Sequence, residues 1–235
     1  MIQIRRDEER GHANHGWLDT YHTFSFADYH DPKFMGFRSL RVINEDRVAP
    51  GAGFGMHGHR DMEILTYVVE GSLAHKDNMG HQEALGPNEI QHMSAGTGVM
   101  HSEFNPSSSE RVHFFQIWIE PAAPGGKPGY EQIRFDPKEK RNKLKRLAGP
   151  AGGNGAARIN QDAHLFVAEL AKDAEIPYSL GSNRAAWVHV VRGEVAVNGA
   201  LLHTGDAAAV TGERQLALTG ADAESSEILL FDLGQ

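Results

Sequence analysis

The chain has 235 residues, 40% of them hydrophobic, with a formal net charge of −8 at pH 7 and no cysteine. This composition suits a folded core and excludes disulfides and thiolate metal sites. The acidic balance argues against general nucleic-acid binding, because phosphate backbones require a basic surface. The charged start of the chain, MIQIRRDEERGH, is unlike a signal peptide, and no run approaches the roughly 18 apolar residues of a membrane span. We therefore expect a soluble cytoplasmic protein without a membrane partner.

Short apolar segments bounded by turn residues follow one another along the chain. Each has the length and β-branched content of a strand, and no long helical periodicity separates them. The segments are SLRVI at 39–43, MEILTYVVEG at 62–71, VHFFQIWIEP at 112–121, HLFVAEL at 164–170, AAWVHVVRGEVAVNGALL at 185–202 and EILLFDL at 227–233. The pattern predicts an all-β fold, either a sandwich or a barrel.

The segment at 136–158, DPKEKRNKLKRLAGPAGGNGAAR, interrupts this pattern with a basic run followed by Gly, Ala and Pro. Such composition is typical of a solvated connector between two β units. Its cations also suit contact with an acidic partner; they are Lys138, Lys140, Arg141, Lys143, Lys145 and Arg146. The predicted division is a domain at 1–135, a connector at 136–158 and a second domain at 159–235.

A weak internal repeat supports two units. ILTYVVEGSLAHKDNMG at 64–80 resembles AWVHVVRGEVAVNGA at 186–200 when Gly71 is aligned with Gly193. Both segments read as a strand, a turn with a charged residue and glycine, and another strand. The second copy has no H-x-H motif before its strand, so only the N-terminal unit is expected to contain a polar centre.

Two pairs of polar residues stand out among the fourteen histidines, eleven of which precede residue 114. His57 and His59 are separated by one residue, as are His101 and Glu103. Residues i and i+2 of a strand point to the same face, so two neighbouring strands would bring three imidazoles and one carboxylate together. This donor set suits Fe, Ni, Cu, Zn or Mn and leaves open positions on an octahedral ion.

The alternative for His57 and His59 is an exposed polar loop, because an H-x-H motif by itself is a weak signal. The second pair, about forty residues later, favours the metal site. The remaining histidines are expected to form hydrogen bonds in the N-terminal segment or to lie on the surface or at the edge of the core. His92 is the most suspect of them, because it lies on a probable strand just before MSAGTG.

The spacing around both pairs resembles the two cupin motifs. Gly51, His57, His59 and Gly71 fit the first motif, with its acid one place early at Glu63, while Gly98, His101 and Asn105 fit the second. RGHANHGWLDTYHTFSFADYHDPKFMGFRSLRVINED at 10–46 and MSAGTGVMHSEFN at 93–105 resemble the signatures of the pirin family of bicupins. The resemblance implies two stacked cupin β-barrels, of which only the N-terminal one binds metal.

The pirin resemblance also implies a ligand set and an activity. Three histidines and a glutamate hold the iron of pirins, which here correspond to His57, His59, His101 and Glu103. The expected ion is a single Fe(II), for which Ni, Cu, Zn, Mn or Co can substitute. The implied reaction is cleavage of a flavonol such as quercetin by dioxygen with release of carbon monoxide, with Glu103 also taking the proton of the substrate hydroxyl.

Further expectations concern the pocket and the alternatives to catalysis. Phe54, Met56, Glu63 and Met100 are candidates to line the pocket for a flat aromatic substrate. Glu63 continues the i, i+2 alternation of His57 and His59 and is therefore expected near the metal. The resemblance implies a monomer. It also implies an alternative role as a redox-sensitive regulator that binds a protein partner, and a third reading gives the metal a purely structural role.

Overall fold

The computed structural model describes the whole chain, Met1–Gln235, and is almost entirely β. It divides into two compact units. The N-terminal unit comprises Gly11–Phe135 with Ala157–Gln161, and the C-terminal unit comprises Met1–Arg10, Asp136–Ala156 and Asp162–Gln235. No helix in the structure has the length and apolar character needed to span a membrane.

The first strand of the chain, β1 (Ile2–Arg5), belongs to the C-terminal unit, and the N-terminal unit follows it. The strands of that unit are β2 (Gly11–Asn14), β3 (Leu18–His22), β4 (Leu40–Val48), β5 (Gly53–His59), β6 (Glu63–Glu70), β7 (Leu73–Asp77), β8 (Gln82–Leu85), β9 (Glu89–Ser94), β10 (Val99–Phe104), β11 (Val112–Ile119) and β12 (Gly129–Arg134). They form a larger sheet in the order β12-β9-β6-β11-β4-β3-β2 and a smaller sheet in the order β5-β10-β7-β8.

The remaining strands follow a short 3-10 helix at Pro137–Glu139. They are β13 (Lys145–Gly149), β14 (Ala157–Arg158), β15 (Ala163–Ala171), β16 (Glu175–Ser179), β17 (Ala185–Arg192), β18 (Glu194–Val197), β19 (Ala200–His203), β20 (Ala207–Thr211), β21 (Gln215–Gly220) and β22 (Ser225–Leu233). In the C-terminal unit a larger sheet contains the order β1-β20-β17-β22-β15-β13, and a smaller sheet has the order β16-β21-β18-β19.

The two units therefore repeat one strand order, in which only β2 lacks a counterpart among the strands of the C-terminal unit. This confirms the predicted all-β bicupin fold, although neither unit's sheets close into a continuous barrel. Gly71 and Gly193 occupy equivalent turns with φ of +79° and +78°, a conformation that glycine adopts without strain. The alignment inferred from the weak repeat is thus the structural one.

The two units differ from the predicted division at the N-terminus, within the predicted connector and just after it. Residues 1–10 group with the C-terminal unit because β1 pairs with β20, from Ile2 opposite Val210 to Arg5 opposite Ala207. The segment 136–156 also belongs to that unit, and its β13 pairs with β15. The buried Lys140 ammonium lies 2.9 Å from the Glu227 carboxylate. The basic run is therefore partly built into a folded unit, where the sequence favoured a solvated connector.

The interiors of the two units differ in polarity. The C-terminal unit contains a continuous apolar cluster that includes Val188, Leu216, Leu218 and Leu230. Strand pairing makes Leu216 and Leu218 on β21 equivalent to His101 and Glu103 on β10. Leucine offers no donor atom, so these two positions of the second unit cannot supply metal ligands.

Candidate metal centre

Three imidazoles meet where β5 and β10 pair in the smaller sheet of the N-terminal unit. His57 lies directly opposite His101 in the antiparallel register, and His59 projects from the same face of β5. The Nε2 atom of His101 is 3.0 Å from Nε2 of His57 and 2.9 Å from Nε2 of His59. The strand alternation predicted this convergence of His57, His59 and His101.

The chemistry of these three donors fits a divalent ion. Burial, followed by the neighbouring imidazoles, lowers the pKa of His59 to about 4 and that of His101 to about 3, so both rings are neutral at pH 7. The Nδ1–H of His57 donates to the carbonyl oxygen of Gly55 at 2.8 Å, which leaves its Nε2 lone pair available. Metal–nitrogen bonds of about 2.1 Å at right angles would separate the nitrogens by about 3.0 Å, which matches the observed spacing.

Glu103 lies on the same strand as His101 and lines the same cavity as His57 and His59. A register shift interrupts the pairing of β10 with β5 between His101 and Glu103. The Glu103 carboxylate accepts two hydrogen bonds from the Gln116 amide, at 2.9 and 3.2 Å. Burial nevertheless raises the pKa of Glu103 to about 7, and the nearby Asp46 adds to the effect. Glu103 is therefore poised to hold or release a proton near neutral pH.

His75 gives the region a second possible donor group. Donor atoms of His75, His101 and Glu103 also lie within 4.8 Å of one another. However, Nε2 of His75 is 3.2 Å from the Asp77 carboxylate, which in turn is 2.9 Å from Nδ1 of His81. This pairing engages one of the two ring nitrogens of His75. The first group, His57 with His59 and His101, has no such competing partner at its Nε2 atoms.

An aromatic groove leads to the three imidazoles. It has a volume of ≈ 440 Å³ and is lined by Trp17, Phe26, Phe54 and Trp118 together with His57 and His59. The rings of Trp17 and Phe54 meet edge to face at 5.3 Å, and the His59 ring contacts Trp118 at 4.9 Å. Groove volumes of this size accommodate a small planar aromatic molecule.

Of the four predicted pocket residues, the structure places only Phe54 beside the imidazoles. Met56 and Met100 alternate with His57 and His101 along their strands, so their side chains point away, and they are 52% and 42% exposed. Glu63 lies on β6 in the larger sheet. Asp61, with φ of +49°, turns the chain between β5 and β6 and ends the alternation that was expected to carry Glu63 to the metal.

Glu63 instead organises a buried polar cluster of its own. Its carboxylate is 2.6 Å from Nε2 of His92 and accepts hydrogen bonds from Ser94 at 2.8 Å and Asn160 at 3.0 Å. These donors hold the pKa of Glu63 below its usual value, against the opposing effect of burial. His92, the most suspect of the other histidines, is thus a structural partner of Glu63.

Replacing Glu63 with alanine is expected to destabilise the protein by about 3 kcal/mol, because the buried His92 and Ser94 and the more exposed Asn160 lose their acceptor. Urea denaturation of the metal-free protein measures the change in the free energy of unfolding. Affinity for a divalent ion should change little, since Glu63 does not line the cavity of the imidazoles. The exposed Glu83→Ala change on β8 is the matched control, and a Glu63 variant as stable as this control would contradict the structural role.

Several residues of the cavity were missed in the sequence. Thr20 and His22 on β3, Asn44 and Asp46 on β4, and Gln116 on β11 all line it. The Nδ1–H of His22 donates to the side-chain oxygen of Asn44 at 2.8 Å, and burial raises the pKa of Asp46 to about 7. The available signal was the pair Asn44 and Asp46, two polar residues at i and i+2 directly after the apolar run SLRVI.

Comparison with known proteins gives a consistent set of relatives. The family model described as Pirin matches residues 3–119, and the model described as Quercetinase C-terminal cupin domain matches residues 146–233. A protein named quercetin 2,3-dioxygenase from Escherichia coli (strain K12) is 49% identical over 233 residues, covering 99% of each chain. A pirin-like protein from Caulobacter vibrioides is 38% identical, again over 99% of each chain.

Solved structures agree with these relatives. The crystal structure of the bacterial pirin YhhW from Escherichia coli in complex with nickel(II) matches with a TM-score of 0.94 and 47% sequence identity. The match covers 100% of this chain and 99% of that one. The similarity therefore extends over both units, and the matching structure carries a divalent metal ion.

Proposed function

The chain belongs to the pirin family, and from this premise we propose that it is a metal-dependent dioxygenase that cleaves flavonols such as quercetin with dioxygen and releases carbon monoxide. The observation that carries the proposal is the meeting of three imidazole Nε2 atoms at 2.9 and 3.0 Å. A relative that is 49% identical over its whole length bears the name of this activity.

His57, His59, His101 and Glu103 would hold one divalent ion, for which we propose Fe(II). When bound, such an ion supplies Lewis acidity that lowers the pKa of a substrate hydroxyl, and it supplies the redox chemistry that dioxygen requires. The nickel(II) in the matching pirin structure is consistent with a site of this type, because imidazole ligands suit both metals.

The protein's own groups would then orient the substrate and move one proton. The groove lined by Trp17, Phe26, Phe54 and Trp118 excludes water from one face of a flat aromatic ring system. Glu103 would accept the proton of the substrate hydroxyl when its carboxylate is transiently released from the ion. Gln116 holds the Glu103 carboxylate in place through its amide.

Oxygen-dependent turnover tests this proposal. Protein reconstituted anaerobically with Fe(II) is expected to leave quercetin intact until dioxygen is admitted, and then to consume dioxygen and release carbon monoxide in equal amounts. The His203→Ala variant, which changes a surface histidine of the C-terminal unit, is the control and should retain full activity. Equal rates for the wild type and a His101→Ala variant would overturn the proposal, and so would dioxygen uptake without ring cleavage.

A further inference from the structure

A second cleft opens in the C-terminal unit, far along the chain from the imidazoles. It has a volume of ≈ 610 Å³, and its lining includes Lys143, Arg146, Phe166, Tyr178 and Asp232. The proposed dioxygenase activity makes no use of this cleft. It also contains part of the basic run that stood out in the sequence without a role.

Strand registers show that this cleft is the counterpart of the mouth of the first unit's cavity. Arg146 pairs with Phe166 as His22 pairs with Asn44, on equivalent strands. Asp232 on β22 is equivalent to Trp118 on β11. Asp232 pairs with Ala186 and Trp118 pairs with Ile64, and these two partners occupy equivalent positions in the two units. The deeper positions are filled by the apolar cluster, so the second unit keeps the mouth of the cavity without its polar interior.

The charges that line the cleft leave an excess of cations. The Glu139 carboxylate is paired with Lys145 at 2.7 Å, and Asp232 is paired with Arg184 at 2.5 Å. Asp232 also accepts a hydrogen bond of 2.6 Å from the Tyr178 hydroxyl. Both acids of the lining therefore have a cationic partner, although Arg184 also pairs with Asp162 at 2.7 Å. Arg146 donates to the neutral carbonyl of Gly152 at 3.0 Å, and Lys143 lies exposed at the rim. An anion would find two cations here.

Aromatic side chains lie beside these cations and form one wall of the cleft. The rings of Phe166 and Tyr178 meet edge to face at 5.5 Å, and both side chains are partly exposed to the cleft. His164 continues this wall, with its ring centre 6.1 Å from that of Phe166. Burial and the nearby Arg184 lower the pKa of His164, so it adds no charge at pH 7. The wall offers ring faces and edges to a planar ligand.

We propose that this cleft of the C-terminal unit binds a small aromatic carboxylate. Lys143 and Arg146 receive the carboxylate group, and Phe166 and Tyr178 pack against the ring. The ligand class follows from the combination, because cations without the aromatic wall would suit any anion. The Arg146 guanidinium is held in place by its contact with Gly152, which favours a two-point contact with a carboxylate.

The probe for this site is 4-fluorobenzoate, observed by fluorine NMR in the presence of the full-length protein. Its resonance is expected to broaden and shift on binding, whereas the uncharged 4-fluorobenzamide should show no comparable change. The Lys143→Gln and Arg146→Gln variants should each weaken binding by about fivefold or more, the loss of one charge-assisted contact. Lys138→Gln, which removes a cation of the same basic run outside the cleft, is the matched control and should bind like the wild type.

Further outcomes locate the probe and define its class. Binding that persists in the His101→Ala variant supports the C-terminal cleft, and its loss there would overturn the proposal by placing the probe at the imidazoles. Inorganic phosphate that displaces the probe at equal concentration would show a general anion site and overturn the aromatic class. Unchanged affinity in the Lys143→Gln variant would also overturn it, and this exposed side chain can be replaced without disturbing the fold. None of these results depends on flavonol turnover.

Discussion

Replacing Glu103 with glutamine is expected to lower kcat for flavonol cleavage by about 10²- to 10⁴-fold, the range typical of a lost general base. Glutamine has nearly the same shape, and its side-chain oxygen can still accept a hydrogen bond from Gln116, which now lies 2.9 Å from the carboxylate. The fold should therefore persist while the proton acceptor is lost. Steady-state kinetics on protein loaded with equal amounts of metal measure the effect.

The Glu103→Gln change should also alter how the free energy of unfolding of the metal-free protein depends on pH. Burial raises the pKa of Glu103 from 4.5 to about 7, so the folded protein keeps a proton that the unfolded chain has released. The contribution of this group is most favourable below pH 4.5 and is lost as the pH rises through 7. Glu103→Gln should therefore reduce the fall in the free energy of unfolding between pH 5 and pH 8. Part of the fall should remain, because Asp46 also has a pKa of about 7.

Urea denaturation at pH 5 and pH 8 separates this effect from a general loss of stability. The exposed Glu83→Gln change on β8 is the matched control and should leave the pH dependence as it is in the wild type. If Glu103→Gln leaves both the pH dependence and kcat unchanged, then Glu103 neither carries the buried proton nor acts as the base. A loss of kcat with an unchanged pH dependence would instead assign Glu103 an electrostatic role at the metal.

The convergence of His57, His59 and His101 could be predicted because it depends on local geometry. Two side chains at i and i+2 on a strand share a face whatever the rest of the fold does. Only the pairing of β5 with β10 had to be supplied, and the motif resemblance supplied it. The same alternation, applied to Met56 and Met100, would have placed both side chains on the opposite face from the histidines, where the structure has them.

The position of Glu63 could not be read from alternation, because the phase of a strand pattern is reset at every turn. Asp61 adopts a positive φ, and β6 continues in the other sheet of the unit. Thr20, Asn44 and Gln116 were hidden for a different reason. Each comes from a different strand of the larger sheet, and their meeting depends on sheet order and register, which are not local properties of the sequence.

The unit boundaries were also missed because they depend on pairing between strands that are far apart in the sequence. Nothing in the four residues of β1 indicates that they form an edge strand beside β20, more than 200 positions later. Composition made 136–158 look like a connector, since lysine and arginine are usually solvated. Lys140 and Lys145 are nevertheless buried, because Glu227 and Glu139 neutralise them within the fold.

His59→Ala and His75→Ala should weaken metal binding to very different extents. The two donor groups share His101, so comparing the two variants tests which donor group holds the ion. We expect His59→Ala to weaken the affinity for nickel(II) more than about 100-fold, a larger loss than a partner outside the ligand set produces, and His75→Ala to weaken it less than about tenfold. The reason is that the Nε2 atoms of His59 and His101 already lie 2.9 Å apart, as ligands of one ion would, whereas Nε2 of His75 faces the Asp77 carboxylate.

Chelator competition gives these affinities, and ligand-linked stability provides an independent measurement. At an ion concentration 100 times Kd, binding should raise the free energy of unfolding of the wild type by about 2.7 kcal/mol. His75→Ala should keep most of this gain, and His59→Ala should show almost none at the same concentration. Metal-free samples of both variants serve as the reference, so a cavity left by either alanine does not enter the comparison. The reverse order of the two variants would place the ion on His75, His101 and Glu103.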